Sequence, residues 1–298
     1  MKLSHISKIK GKIAISSNIK STNILDGAYK SIFKGKSLNF EELRNYNIGD
    51  NIRDIDWRAS ARSMNILVRE HVAEKKHNII FILDSKYDMN ANANLEDTKR
   101  DICINVAGTL AYIANKNGDY TGAIYMDNDN PKFFPLETSL FHIENYLTFY
   151  EEDLKNQNIK KRKRYKNSLN SSIEYIINYL DKKTIIFIIT DLSSIDEINE
   201  DLIKMLSYHN DIMIVCINDI CLYGSKSYDV EKGRYFAPMI SKSRRLARIE
   251  VETKEKIFDE CANRLKKYCV TMISIESIDD VTSKIIELLK QHSILINK

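Results

Sequence analysis

Three aspartates each follow a short apolar segment: Asp84 after NIIFIL, Asp127 after GAIYM and Asp191 after IIFIIT. Asp88 lies four residues beyond Asp84, and two serines follow Asp191 closely. If the apolar segments are parallel strands, their carboxyl ends meet at one edge of a sheet. Carboxylate and hydroxyl oxygens suit Mg²⁺ or Mn²⁺, which makes Asp84, Asp88 and Asp191 candidate metal ligands. The alternative is that these aspartates only cap the helices that follow.

The apolar segments alternate with amphipathic ones along most of the chain. Short, β-branched strands buried on both faces are predicted at 78–84, 121–127, 184–191, 211–219 and 270–275. Helices are predicted at 95–116, 141–154, 171–180, 196–208, 254–267 and 279–291. The segment KFFPL, with Pro135, fits an antiparallel edge strand. This order predicts an α/β fold, with a doubly wound, mostly parallel sheet of about six strands and helices on both faces.

The chain before residue 77 has a different character. We predict an N-terminal arm over 1–76 and an α/β domain over 77–298. The spacing of its first apolar residues, Leu3, Ile6, Ile9 and Ile13, predicts a short amphipathic helix. Residues 27–40 read as extended chain with turns at Gly27 and Gly35. Residues 220–253 are polar and read as an irregular excursion.

Residues 44–70, RNYNIGDNIRDIDWRASARSMNILVRE, form the signature tract. It combines the only tryptophan of the chain, Trp57, with closely spaced charges of both signs. Arginine and carboxylate groups form bidentate hydrogen bonds. We therefore expect pairs within and around the tract to lock the arm onto the α/β domain, with Trp57 as a packed anchor. The groups involved would be Arg44, Arg53, Arg58 and Arg62 with Asp50, Asp54 and Asp56. Direct ligand binding by the tract is the alternative.

The signature tract and the following IIFILDSKYDM resemble the domain-of-unknown-function family number 58. These are bacterial proteins with a von Willebrand factor A-like domain, often encoded beside MoxR-type AAA+ ATPases. The resemblance rests on Arg44, Tyr46, Gly49, Asp50, Arg53, Ile55, Asp56, Trp57, Ala61 and Arg62. It extends more loosely over 27–291, and it implies the A-domain fold and a MoxR-type partner.

The strand-end loop departs from what this resemblance implies. In A-domains a D-x-S-x-S loop, a later threonine and a later aspartate hold a divalent ion that bridges to a partner. Asp84 and Asp191 match the two aspartates, but Lys86 and Asp88 replace the two serines. The threonine position falls near Asn167 or Ser168. Either Lys86 neutralises the carboxylates and no metal binds, or Lys86 faces solvent and Asp88 becomes a ligand for Mg²⁺.

These features predict a non-enzymatic protein-interaction module with a degenerate metal-ion-dependent adhesion-type site. Its recognition face would comprise Asp84, Lys86, Asp88 and Asp191, and it would act with a MoxR-type ATPase in remodelling or maturing other proteins. The alternative is a Mg²⁺- or Mn²⁺-dependent hydrolase or nuclease that uses the same carboxylates. The sequence contains no Walker motif, GxGxxG or GxSxG.

The composition of the chain also indicates its class of partner and its cellular compartment. The chain has 298 residues and a net charge of +4, too small to argue for nucleic acid. It has no apolar run of the roughly 20 residues that span a bilayer. Five cysteines without a CxxC pair favour a reducing compartment, so we expect a cytoplasmic protein. Cys103 and Cys216 fall in apolar segments and are expected to be buried. The basic run at 155–166 reads as a solvated connection.

Overall fold

The computed structural model describes residues 3–16, 20–30, 33, 41–71, 76–127, 130–157, 168–218, 228–229, 234–235 and 244–296. The strands are β1 Glu41–Asn45, β2 Leu67–His71, β3 Asn78–Leu83, β4 Tyr120–Asp127, β5 Asn130–Glu137, β6 Ile185–Asp191, β7 Asp211–Ile217, β8 Tyr228–Asp229, β9 Arg234–Tyr235 and β10 Thr271–Ile275. The helices are α1 Ser4–Ser16, α2 Lys20–Tyr29, α3 Trp57–Ser63, α4 Lys99–Lys116, α5 Leu140–Asn156, α6 Ser168–Tyr179, α7 Leu192–Asp196, α8 Glu200–Ser207, α9 Arg244–Lys266 and α10 Val281–Ile296.

Six strands form one sheet in the order β10-β7-β6-β3-β4-β5. All neighbours pair in parallel except β4 and β5, which are antiparallel. The chain runs outward from β3 to β5, then returns to the other side of β3 and continues from β6 to β10. The strand order therefore reverses between β3 and β6, the place where doubly wound sheets bind ligands. The α/β fold and its mostly parallel sheet are confirmed.

Residues that alternate along β3 face two separate apolar layers. Ile79, Phe81 and Leu83 pack on the side of α1, α2, α4, α5 and α10. Ile80 and Ile82 pack on the side of α6, α8 and α9. Burial on both faces explains why these strands read as continuous apolar runs in the sequence.

The predicted elements agree with the structure except at a few places. Pro135 lies on the antiparallel edge strand β5, as expected. The helix predicted at 196–208 is the shorter α8, which begins at Glu200 because Asn199 caps it there, and a separate helix, α7, ends at Asp196. Helix α9 begins at Arg244, so the irregular assignment of the residues from there to 253 was wrong. Gly27 lies inside α2, where burial of the flanking Leu25 and Tyr29 outweighs the poor helix propensity of glycine. Gly35 lies outside the described residues.

Helices α1 and α2 belong to the core of the α/β domain. Ile6 and Ile9 of α1 are buried against α4 and α5, and a Cβ at Gly108 of α4 would collide with the Ile9 side chain. The Tyr29 hydroxyl of α2 donates to the buried Asp119 carboxylate at 2.6 Å. The predicted N-terminal amphipathic helix is therefore confirmed, and its apolar face is covered.

Two further expectations concern burial and membranes. Cys103 and Cys216 are fully buried free thiols, as expected. Within the described ranges no helix has the length and apolarity needed to cross a membrane. Most of the basic run at 155–166 lies outside the described residues.

Candidate functional site

Asp84 and Asp191 come together at the carboxyl edge of the sheet, where the strand order reverses. Asp191 ends β6, and Asp84 directly follows β3. The Asp84 backbone N–H donates to the Ile189 carbonyl at 3.0 Å, which extends the ladder between the two strands. Both aspartates are buried. The pairing expected from two strand-end aspartates is therefore present.

The Asp84 carboxylate is held by hydrogen bonds from three elements. Its Oδ1 accepts from the Lys86 backbone N–H at 2.9 Å. Its Oδ2 accepts from the Thr190 hydroxyl of β6 at 2.6 Å. The Ser168 hydroxyl, at the start of α6, lies 3.4 Å from Oδ1. Ser168 thus occupies one of the two positions proposed for the threonine, while Asn167 lies outside the described residues.

The Asp191 carboxylate carries a direct ion pair. Its Oδ1 accepts from the Ser194 backbone N–H and the Ser193 hydroxyl at 2.9 and 2.8 Å, which caps α7. Its Oδ2 lies 2.7 Å from the Lys99 ammonium, and each side chain is 2% exposed. The capping interpretation of Asp191 is therefore correct, and the shared site with Asp84 stays a prediction.

Lys99 is the residue that sequence reasoning missed. It begins α4, immediately after the N-cap Thr98. A cation at a helix amino terminus is opposed by the helix dipole and needs another reason to be there. A lysine at this unfavourable position was the signal in the sequence that could have identified the residue. The buried Asp191 carboxylate explains why the lysine is there.

The ion pair controls the titration of Asp191. Burial alone would raise its pKa, but the Lys99 ammonium and the capping hydrogen bonds outweigh burial and lower the pKa from 3.8 to about 2. The carboxylate is therefore charged in the folded protein at every pH near neutrality.

Lys86 does not neutralise this cluster, in contrast to the first expectation. Its ammonium lies 3.0 Å from Glu197 Oε2, and its side chain is only partly exposed. Pairing with Glu197 also departs from the alternative, in which Lys86 points freely to solvent. Glu197 follows α7, so a long lysine side chain reaches it across the strand-end loops.

Asp88 and Asp127 are the other two carboxylates predicted at the strand ends. Asp88 is half-buried in the 3-10 turn Tyr87–Asn90. Asp127 lies 3.1 Å from the Lys132 ammonium of β5. Among the described residues no three His, Cys, Asp or Glu side chains form a group that could hold a metal ion. The ligand set Asp84, Asp88 and Asp191 stays a prediction.

The signature tract folds mainly on itself. Its ends pair as the antiparallel strands β1 and β2. Arg44 makes a bidentate pair with Asp50 at 2.6 and 2.7 Å, and the Asp56 carboxylate caps α3. Gly49 has a φ of +110°, a backbone conformation that favours glycine. The Tyr46 backbone N–H donates to the Ile66 carbonyl at 2.8 Å.

One expectation about the signature tract is not met. Trp57 is 64% exposed and is not a packed anchor, because α3 has no buried residue. No ion pair joins Arg53, Arg58 or Arg62 to another described residue, so the lock expected from these arginines stays a prediction. In the described part of the chain, α1 and α2 contribute the apolar contacts that hold the N-terminal part on the core.

The pKa of Asp191 has a consequence for acid stability. A carboxyl with a lowered folded pKa stabilises the folded state above its unfolded pKa of 3.8, and this is lost as the pH falls through about 2. Asp191→Asn cannot titrate. We expect the difference in unfolding free energy between wild type and Asp191→Asn to shrink from pH 5 to about pH 2, measured by urea unfolding. A difference that stays constant over this range would contradict the assignment.

The fold and site define a doubly wound α/β protein with a buried carboxylate–ammonium pair at the reversal of strand order. The chain belongs to the family described as Protein of unknown function DUF58, whose model matches residues 42–221. Uncharacterized proteins of Mycobacterium tuberculosis and Mycobacterium bovis are 23% identical to it over 123 residues, 41% of this chain and 38% of theirs. The match thus spans little more than a third of the length of these relatives.

Several solved structures resemble this chain, and two are described here. One is a von Willebrand factor type A protein from Catenulispora acidiphila, with a TM-score of 0.38 and 11% identity, covering 74% of this chain and 43% of that one. The other is the PilB minor pilin from Streptococcus sanguinis, with a TM-score of 0.40 and 9% identity, covering 77% and 65%.

Proposed function

We propose that this chain is a non-enzymatic protein-interaction module with a degenerate metal-ion-dependent adhesion-type site. In the proposal, the Lys99 ammonium takes the place of the divalent ion. The partner is a MoxR-type AAA+ ATPase, and the two act together in remodelling or maturing other proteins. The proposed partner is inferred from the family resemblance. The proposal that the site holds no metal is inferred from the contacts of its side chains.

The buried pair of Lys99 and Asp191 is the observation that carries the proposal. An ammonium 2.7 Å from the Asp191 carboxylate supplies the positive charge that an A-domain obtains from its metal. A dication added there would be repelled by this ammonium, and the repulsion is strong where little water screens it. The Asp84 oxygens are already occupied by hydrogen bonds from the protein.

A partner would meet the partly exposed rim of the site rather than the buried carboxylates. That rim contains Lys86, Asp88 and Glu197, of which Lys86 and Glu197 form an ion pair. Charged rim residues set the rate and specificity of association more than its total affinity. The buried pair then keeps the loops that carry these residues in place.

A Mg²⁺- or Mn²⁺-dependent hydrolase or nuclease is the second candidate. It would need the carboxylates free to bind an ion that activates water. A wild-type protein stabilised by several degrees in Mg²⁺ would favour this candidate, because a ligand that binds only the folded state raises the melting temperature.

Binding to a purified MoxR-type ATPase of the same organism tests the proposal directly. We expect Lys86→Ala and Asp88→Ala each to weaken binding several-fold, measured by biolayer interferometry, because each removes a rim charge. Asp181→Ala is the control, since Asp181 is exposed and precedes β6 at the opposite, amino end of the strands. Unchanged melting temperatures establish that all variants fold. The proposal fails if the wild type does not bind, or if all three variants bind equally.

A further inference from the structure

The positive and negative charges of the signature tract nearly cancel in its sequence, but they have different surroundings in the folded protein. Two of the tract's carboxylates have structural roles: Asp50 binds Arg44, and Asp56 caps α3. Arg53, Arg58 and Arg62 are exposed and have no ion-pair partner among the described residues. The surface left to solvent is therefore richer in guanidinium groups than the sequence suggests.

The same tract exposes unusually many large apolar side chains. Trp57 is 64% exposed, Ile52 is 66% exposed, and Ile48 and Met64 are almost entirely exposed. Scattered exposed apolar residues are ordinary, but a group of four within one short segment is not. Tryptophan and arginine are the residues most enriched where protein partners bind tightly.

The arginines and the tryptophan occupy neighbouring positions on α3. Arg58 and Arg62 are four residues apart and share one face of the helix. Trp57 precedes Arg58, and Arg53 with Ile52 lies on the 3-10 turn just before the helix. The apolar and cationic groups therefore lie within one short segment, on α3 and the turn just before it.

We propose that this surface, formed by Ile48, Ile52, Arg53, Trp57, Arg58, Arg62 and Met64, docks an acidic segment of a partner protein that carries apolar side chains. Carboxylates of the partner would accept bidentate hydrogen bonds from the arginines. Apolar side chains between them would cover Trp57 and the aliphatic residues. This surface is separate from the strand-end site and extends the proposed function to a second contact.

Charge and composition favour a protein segment over nucleic acid or lipid. The chain carries a net charge of only +4, which is too small to favour a phosphate-rich partner. Trp57 is the one aromatic ring of this surface, so successive bases would find no series of rings to stack on. The isoleucines and the methionine instead suit contact with leucine or phenylalanine side chains.

Trp57 provides a direct reporter because it is the only tryptophan. The probe is a short synthetic peptide in which glutamate alternates with leucine. We expect it to shift the Trp57 emission to shorter wavelength on binding. The lysine counterpart of this peptide, a single-stranded oligothymidylate and phosphatidylglycerol vesicles are expected to leave the emission unchanged.

Charge reversal separates specific docking from general attraction. Arg58→Glu with Arg62→Glu is expected to weaken peptide binding at least about tenfold, equivalent to roughly 1.4 kcal/mol. Lys204→Glu with Arg245→Glu changes the net charge equally at exposed positions elsewhere and is expected to bind like wild type.

Four results would overturn the proposal. They are an unchanged Trp57 emission with the glutamate–leucine peptide, equal weakening by both double variants, a response to oligothymidylate or vesicles instead, and a shift produced by raising the protein concentration alone. The last would indicate a second copy of this chain. None of these results bears on the strand-end site, so failure here and failure of ATPase binding are distinguishable.

Discussion

Lys99→Met is expected to lower the free energy of unfolding by roughly 3–5 kcal/mol, because it leaves the buried Asp191 charge without its partner. Methionine keeps most of the length and apolar volume of the lysine side chain. The loss therefore reports the ammonium rather than a cavity. Urea unfolding at neutral pH gives the measurement.

Lys86→Met is the matched control for this loss. It removes the same ammonium from a second lysine in the strand-end loops, but one whose partner Glu197 is half exposed. Pairs of this kind contribute about 0–1 kcal/mol. Equal losses in the two variants would contradict a special role for Lys99. Adding Asp191→Asn to Lys99→Met should recover part of the loss, since it removes the unpaired charge.

The Lys99→Met variant also tests whether the Lys99 ammonium prevents a divalent ion from binding at the strand-end site. With the ammonium gone, Asp191 regains a free oxygen beside Asp84. We expect Mg²⁺ to raise the melting temperature of Lys99→Met and to leave that of the wild type unchanged, each measured against a chelator. A wild type that gains as much as the variant would show that the ammonium does not exclude the ion.

The sheet could be predicted from the sequence because strands that are buried on both faces are continuous apolar segments. Strands such as β3 and β6 are uniform apolar runs, and each leads to an aspartate at the same edge. The order of these segments then places Asp84 beside Asp191. The alternation of strands and helices, and the residue that ends each strand, can both be recognised in a single sequence.

The partner of Asp191 could not be predicted in the same way. Lys99 lies 92 residues away from Asp191, and nothing in the sequence between them records the contact. The nearer Lys86 was the obvious cation, yet its side chain reaches Glu197. Side-chain pairing depends on loop geometry that the apolar pattern does not encode.

The signature tract shows a different limit of sequence reasoning. Tryptophan is mostly buried in proteins, so a packed Trp57 was the natural expectation. The short helix α3 instead presents Trp57 to solvent, while Asp56 and Asp50 fold the tract internally. Exposure of this kind depends on what the tract packs against, which the local sequence does not display.

A single buried carboxylate, that of Glu144, caps the N-terminal helix. Glu144 of α5 accepts hydrogen bonds from the Ser4 hydroxyl at 3.0 Å and from the backbone N–H groups of His5 and Ile6 at 2.8 and 2.9 Å. It therefore caps α1 from about 140 residues away in the chain. Helix amino termini leave such N–H groups without partners and favour a negative charge.

Glu144→Ala is expected to lower the free energy of unfolding by roughly 2–4 kcal/mol, because three donors lose a buried, charged acceptor. Glu151→Ala on the same helix is the control: Glu151 also contacts α1, through His5 at 3.2 Å, but is partly exposed and should cost about 0–1 kcal/mol. Limited proteolysis should cut Glu144→Ala faster within α1, since the helix loses its cap while its apolar contacts through Ile6 and Ile9 remain. If α1 is cut at the same rate in both variants, the apolar contacts are sufficient and the cap is not what ties the arm to the sheet.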